Sequence, residues 1–195
     1  MDSYSRIASK YATERQHSTI GVEELTDVLN RLPQGASVLD FGAGTGLPLT
    51  KQIVRHPHQF KVFGVDSSLR MVNIFRENFL AIPVQCASIL DFDFFSETFD
   101  AVHSWGVMFH LTEEEQRKAI RTIASRLNPQ GYFLFTSAKE SGARTGTMYG
   151  EEFHYVSLGA EEYRKCLVKH GFILLNEHFD IGQNYYYLAQ KTLSH

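Results

Sequence analysis

The chain has 195 residues, 43% of them hydrophobic and 21% charged, with 19 lysines and arginines against 22 acids for a net charge of −3. These proportions describe one soluble globular domain and exclude a disordered chain or a small disulfide scaffold. With no block of basic residues they also exclude a duplex nucleic-acid binder, whose affinity depends on clustered cations.

In chain order, Tyr4 to Arg15 carries Ile7 and Tyr11 on one helical face and reads as a flap over a ligand. Glu23 to Leu32 reads as an amphipathic helix with Val28, Leu29 and Leu32 on its apolar face. From residue 36, short apolar runs alternate with segments of helical period, the βαβ pattern. The expected strands are Ser37 to Phe41, Lys61 to Val65, Val84 to Cys86, Ala101 to Ser104 and Tyr132 to Thr136. Ser67 and Ser68 are placed to cap a helix, and Thr112 with Glu115 forms a capping box before another. The stretch from Ser141 to Gly146 reads as flexible, inside a connection long enough to be a lid. After Gly159 come a helix and two strand-like runs, Phe172 to His178 and Tyr185 to Gln190, whose short join allows only an antiparallel hairpin. Cys86 and Cys166, in apolar surroundings, read as reduced buried thiols. Residues 1–15 have no signal-peptide core and no apolar run approaches the ~18 residues of a membrane span, so a cytoplasmic setting and no membrane contact are expected.

Asp40-Phe41-Gly42-Ala43-Gly44-Thr45-Gly46 sets a glycine-rich turn between a strand and a helix, where backbone N–H groups can approach a ligand. Asp66 ends the next strand, twenty residues after Gly46, the spacing at which an acid reaches a ribose diol. The third glycine comes one residue early for G-x-G-x-x-G and no Tyr-x-x-x-Lys pair occurs, which disfavours hydride transfer. No Gly-Lys-Ser or Gly-Lys-Thr follows, which excludes a P-loop.

At these residues the chain resembles the class I S-adenosylmethionine-dependent methyltransferases, in particular their small-molecule group, from about Tyr4 to the last strand. The resemblance implies an α/β fold: a Rossmann-like, doubly wound, seven-stranded mixed sheet, mostly parallel with one antiparallel strand near the edge and helices on both faces. One domain is expected, with a flap and helix over 1–32, a cofactor-binding core over 36–138, a lid over 139–156 and a C-terminal helix and hairpin over 159–195. It implies S-adenosylmethionine as cofactor, S-adenosylhomocysteine as product, and cofactor contacts from Tyr11, Asp40, Gly42, Gly44, Gly46, Asp66, Ser67, Met71, Ser88, Ile89 and Ser104. Cys86 to Phe92 resembles the turn that meets the adenine, but Ser88 stands where the family usually has an acid. Phe99 to Trp105 resembles the strand whose end faces the methyl group, and Leu127 to Gly131 is similar to the turn before the fifth strand.

Methyl transfer requires a nucleophile held behind the methyl and, for a hydroxyl acceptor, a base. His110 and His154 are the candidate bases, while His103, inside a strand, reads as a core histidine. Trp105, Met108, Tyr149 and Tyr155 are expected to wall the acceptor pocket. No Asp-Pro-Pro-Tyr, Asn-Pro-Pro-Tyr or Pro-Cys occurs, and the carboxylates that would hold magnesium are missing, so no catalytic metal is expected. The expected function is methylation of a small organic molecule by a monomer or homodimer. Two alternatives stand beside it: a non-catalytic cofactor- or partner-binding protein, and an enzyme acting on protein or RNA with a partner subunit.

Overall fold

The computed structural model describes residues 3–91 and 95–193, so Phe92 of the turn expected to meet the adenine and Met1 and Asp2 of the expected flap lie outside the described residues. The elements in chain order are α1 (Ser3–Arg15), α2 (Val22–Leu29), β1 (Ser37–Phe41), α3 (Leu49–Arg55), β2 (Lys61–Asp66), α4 (Leu69–Asn78), β3 (Val84–Cys86) and β4 (Phe99–Ser104). A 3-10 turn (Met108–His110), α5 (Glu113–Arg126), β5 (Leu127–Ser137), β6 (Gly142–Met148), β7 (Glu151–Ser157), α6 (Ala160–Lys169), β8 (Phe172–Phe179) and β9 (Tyr185–Lys191) follow.

Seven strands form one sheet in the order β3-β2-β1-β4-β5-β9-β8. β1 pairs in parallel with β2 and β4, and β9 runs antiparallel to both its neighbours, β5 and β8. β9 is thus the one antiparallel strand, second from the edge, because a five-residue join from β8 cannot cross the sheet. The near-continuous apolar strands are explained by two faces. Leu39, Val102, Phe133 and Phe135 pack against Ile120 and Ile123 of α5 and Tyr163 and Leu167 of α6. Val38, Ala101, Leu134 and Leu188 alternate to the other side, against Leu25 and Leu29 of α2 and Ile53 of α3. The Thr112 capping box forms as expected: its hydroxyl accepts the Glu115 N–H at 3.3 Å and the Glu115 carboxylate accepts the Thr112 N–H at 2.8 Å.

Two expectations need correction. Ser141 to Gly146 is no irregular stretch: residues 142–148 pair with 151–157 in a separate two-stranded sheet. Its turn, Tyr149-Gly150, has φ of 54° and 86°, both positive as a two-residue hairpin turn requires, but a tyrosine in the first place hides that signal in the sequence. Cys86 is exposed, because β3 ends at the sheet edge; only Cys166 is buried.

Candidate functional site

The carboxyl ends of β1, β2, β3 and β4 border a cavity of about 460 Å³. Gly42, Gly44, Asp66, Ser67, Met71, Ser88 and Ile89 line one side, Tyr4 and Tyr11 of α1 another, and Trp105, His110 and Phe153 a third. The glycine turn is tied to Asp66, whose Oδ2 accepts the Gly44 N–H at 2.8 Å while Oδ1 accepts the Ser68 N–H at 2.8 Å. One carboxylate therefore holds the first and second strand-to-helix turns together, and with about four lone-pair sites it can serve further donors.

The three glycines of the turn have different reasons. A Cβ at Gly42 would lie 2.3 Å from Val107, and one at Gly46 would lie 2.4 Å from Phe79, so these two positions are empty for packing. At Gly44 the nearest side-chain atom would be Tyr11 Cε1 at 4.0 Å, and both residues line the cavity, so here the space is the cavity itself. Gly46 thus supports the turn without lining the cavity.

Asp40 and Ser104 also lie outside the lining. Asp40 is buried beneath the turn, where Thr50 Oγ1 donates to its Oδ2 at 2.5 Å and its Oδ1 lies 3.4 Å from His103 Nε2. Ser104, fully buried, has an Oγ without a hydrogen-bond partner among the described residues. Tyr11 is held in its neutral form: burial pushes the phenol's pKa up, Arg15 opposes this, and Asp66 and Asp40 add to it.

At the other end of the cavity the Tyr4 hydroxyl lies 2.8 Å from His110 Nε2, and the His110 ring packs against Phe153 and Tyr155 with centroids 5.6 and 5.2 Å away. Tyr4 was not singled out in the sequence; its spacing of seven from Tyr11, two helical turns on one face, is the signal that could have found it. His154 sits at the cavity rim, but strand alternation turns its side chain away from Phe153 and Tyr155, leaving it 75% exposed and 3.7 Å from Glu152.

Trp105 lines the cavity and stacks on Tyr186 at 6.3 Å. Met108 is corrected to a core residue, fully buried, because the 3-10 turn points it inward among Val102, Ile120 and their neighbours. Tyr149 lies at the hairpin tip and donates its hydroxyl to Glu14 of α1 at 2.7 Å; burial and that carboxylate push its pKa up to about 12. Tyr155 borders a second cavity, of about 600 Å³, at the ends of β5 and β8 and the start of β9. No group of three or more potential metal ligands is found among the described residues, and no helix among them is long and apolar enough to cross a membrane.

Comparison with known proteins places these features in context. A family profile described as a methyltransferase domain matches residues 38–131, from β1 through the start of β5. The chain is 26% identical over 181 residues to an uncharacterized methyltransferase of Anoxybacillus flavithermus, covering 92% of this chain and 76% of that protein. It is also 26% identical over 171 residues to the phosphoethanolamine N-methyltransferase of Plasmodium falciparum, covering 82% of this chain and 62% of the relative. Among solved structures, an amino pentose methyltransferase of Micromonospora echinaspora with S-adenosylmethionine bound superimposes with a TM-score of 0.73 at 20% identity, covering 94% of this chain and 97% of that one. An S-adenosylmethionine-dependent methyltransferase of Clostridium acetobutylicum gives a TM-score of 0.75 at 14% identity, covering 98% and 100%.

Proposed function

The chain belongs to the class I S-adenosylmethionine-dependent methyltransferases, and on that premise we propose that it methylates a small organic acceptor in the cleft roofed by α1 and the β6–β7 hairpin. The observation that carries the reading is the joining, in one cavity, of the Asp66-bound glycine turn and the Tyr4–His110 pair. The residues fit the cofactor: at Gly44 a side chain would fill space that only the cavity occupies, and a carboxylate stands at the end of β2. In this reading Asp66 holds the ribose hydroxyls, the backbone at Gly42 and Gly44 holds the amino-acid end, and Met71, Ser88 and Ile89 border the base.

When bound, S-adenosylmethionine supplies an electrophilic methyl group on a positively charged sulfur. The protein's own part is to position the acceptor in line, exclude water and take a proton where the acceptor has one to lose. Tyr4, Phe153 and Tyr155 form an aromatic wall around His110 that keeps water away. In this reading the acceptor takes the place of the Tyr4 hydroxyl at His110 Nε2, which then accepts or orients the acceptor's proton; His154, mostly in solvent, is the weaker candidate.

A mass-spectrometric acceptor screen, followed by kinetics of His110→Gln and Tyr4→Phe, tests this. For a hydroxyl acceptor His110→Gln is expected to lower kcat by about 10²-fold, with Tyr4→Phe costing less and S-adenosylhomocysteine affinity unchanged in both. Wild-type turnover in both variants would leave positioning as the whole of catalysis. Failure of the wild-type chain to bind S-adenosylhomocysteine would remove the cofactor assignment.

A further inference from the structure

We propose that the 600 Å³ cavity beside the cofactor cleft receives an anionic group of the methyl acceptor, a carboxylate or a phosphate; this rests on the methyltransferase reading. Lys139 follows β5 and Arg144 lies in β6, and both line this cavity. Arg144 lies over the Tyr155 ring at 5.6 Å and Lys139 over the Tyr185 ring at 6.0 Å, and both rings are cavity walls. Contact with an aromatic face holds a cation in place without neutralising it.

Among the described residues neither Lys139 nor Arg144 forms an ion pair with a carboxylate, and although Lys10, Arg15 and Lys191 also lie over aromatic rings, Lys139 and Arg144 are the two that line one cavity together. Glu140 is the one carboxylate in the lining, so the cavity carries an excess of one positive charge from its side chains. The two cavities meet at one ring cluster: Phe109 and Tyr155 line the cationic one, His110 lines the other, and His110 packs against both, with centroids 4.8 and 5.2 Å away. An acceptor spanning this cluster presents its nucleophile at His110 and its anion to Lys139 and Arg144. Ion pairing of this kind selects among substrates more than it adds affinity.

The test uses the full chain saturated with S-adenosylhomocysteine and calorimetric titration with two matched pairs: 4-hydroxybenzoate against 4-hydroxybenzyl alcohol, and phosphoethanolamine against ethanolamine. The anionic member of at least one pair is expected to bind at least about tenfold more tightly, and which pair responds separates carboxylate from phosphate. In the Lys139→Gln/Arg144→Gln double variant the preference is expected to fall below about threefold with S-adenosylhomocysteine affinity unchanged, which also reports that the variant is folded. No measurable binding of either anion, no preference in the wild type, or a preference that survives the double substitution overturns the proposal while the methyltransferase reading stands. Loss of S-adenosylhomocysteine binding in the wild type would instead bring down both.

Discussion

The glycine turn after β1 and the β6–β7 hairpin above it each carry three glycines, but for opposite reasons. In the turn, Gly42, Gly44 and Gly46 all have positive φ, and two of them leave space that Val107 and Phe79 occupy. In the hairpin, a Cβ at Gly142 or Gly150 would meet nothing within 4 Å, and only Gly146 is close to a neighbour, Tyr155 Cε2 at 3.0 Å. The turn is held from inside, by the Gly44 N–H donating to Asp66, by the Gly42 and Ala43 N–H groups donating to the Val65 carbonyl, and by core side chains. The hairpin buries Phe153 and Ser157 and is otherwise held from outside, by contacts to α1 such as Tyr149 with Glu14 and Arg6 with Glu151, the latter pair at 2.6 Å. A region held from inside is fixed before any ligand arrives; one held by exposed pairs can open without unfolding the core.

The largest effect is expected at Gly44. A valine there takes a left-handed backbone at a cost of about 1–2 kcal/mol and places its side chain in the cavity, so S-adenosylhomocysteine binding should fall by more than about 100-fold while circular dichroism stays native. A folded variant that binds as the wild type would show that the turn does not face the cofactor. Next comes Asp66→Ala, which removes the acceptor of the Gly44 and Ser68 N–H groups and of the ribose hydroxyls assigned to it. A loss of about 1.5–3 kcal/mol, roughly 10- to 150-fold in calorimetric affinity, is expected without unfolding. Gly146→Val should act more weakly. The gain in strand propensity opposes the displacement of the Tyr155 ring, so Tm is expected to move by no more than about 4 °C, while the acceptor's KM rises because Tyr155 walls its cavity.

The same contrast explains what the sequence disclosed. Five strands of the main sheet, β1, β2, β4, β5 and β9, were legible because each is covered on both faces and so reads as an apolar run, Val38 and Leu39, adjacent in sequence, serving different cores; the edge strands β3 and β8, little buried, were legible as short runs bounded by turns. Asp66 and the glycine turn were legible because their chemistry is local: a short backbone segment and one carboxylate at a set spacing. β6 was not, since Gly-Ala-Arg-Thr-Gly-Thr-Met has neither apolar alternation nor β-branched density and is mostly exposed, its pairing decided by β7 and the turn. Met108 was misread because a residue leaving β4 can turn to the cleft or to the core, and one sequence does not say which way a 3-10 turn will face. Tyr4 with His110 escaped because the pair joins segments 106 residues apart, with no spacing rule to connect them, and Lys139 with Arg144 escaped because the strand that brings Arg144 to their shared cavity was not legible either.

The smallest effect tests whether the roof behaves as one body. Arg6 and Glu151 are 41% and 27% exposed in their side chains, and exposed ion pairs contribute about 0.2–1 kcal/mol, so Arg6→Ala should shift Tm by no more than about 4 °C. Its effect on opening should be easier to see than its effect on stability. Arg6 joins α1 to β7 as Tyr149 joins the hairpin tip back to α1, so removing Arg6 should speed amide hydrogen exchange in both α1 and residues 142–157 while leaving β1, β4 and β5 as they were. In the wild type, S-adenosylhomocysteine should slow exchange in both segments together, because Tyr4 and Tyr11 of α1 and Phe153 of β7 border the same cavity. Faster exchange in α1 alone would show two independent flaps, and equal exchange with and without ligand in both segments would end the idea that the roof closes.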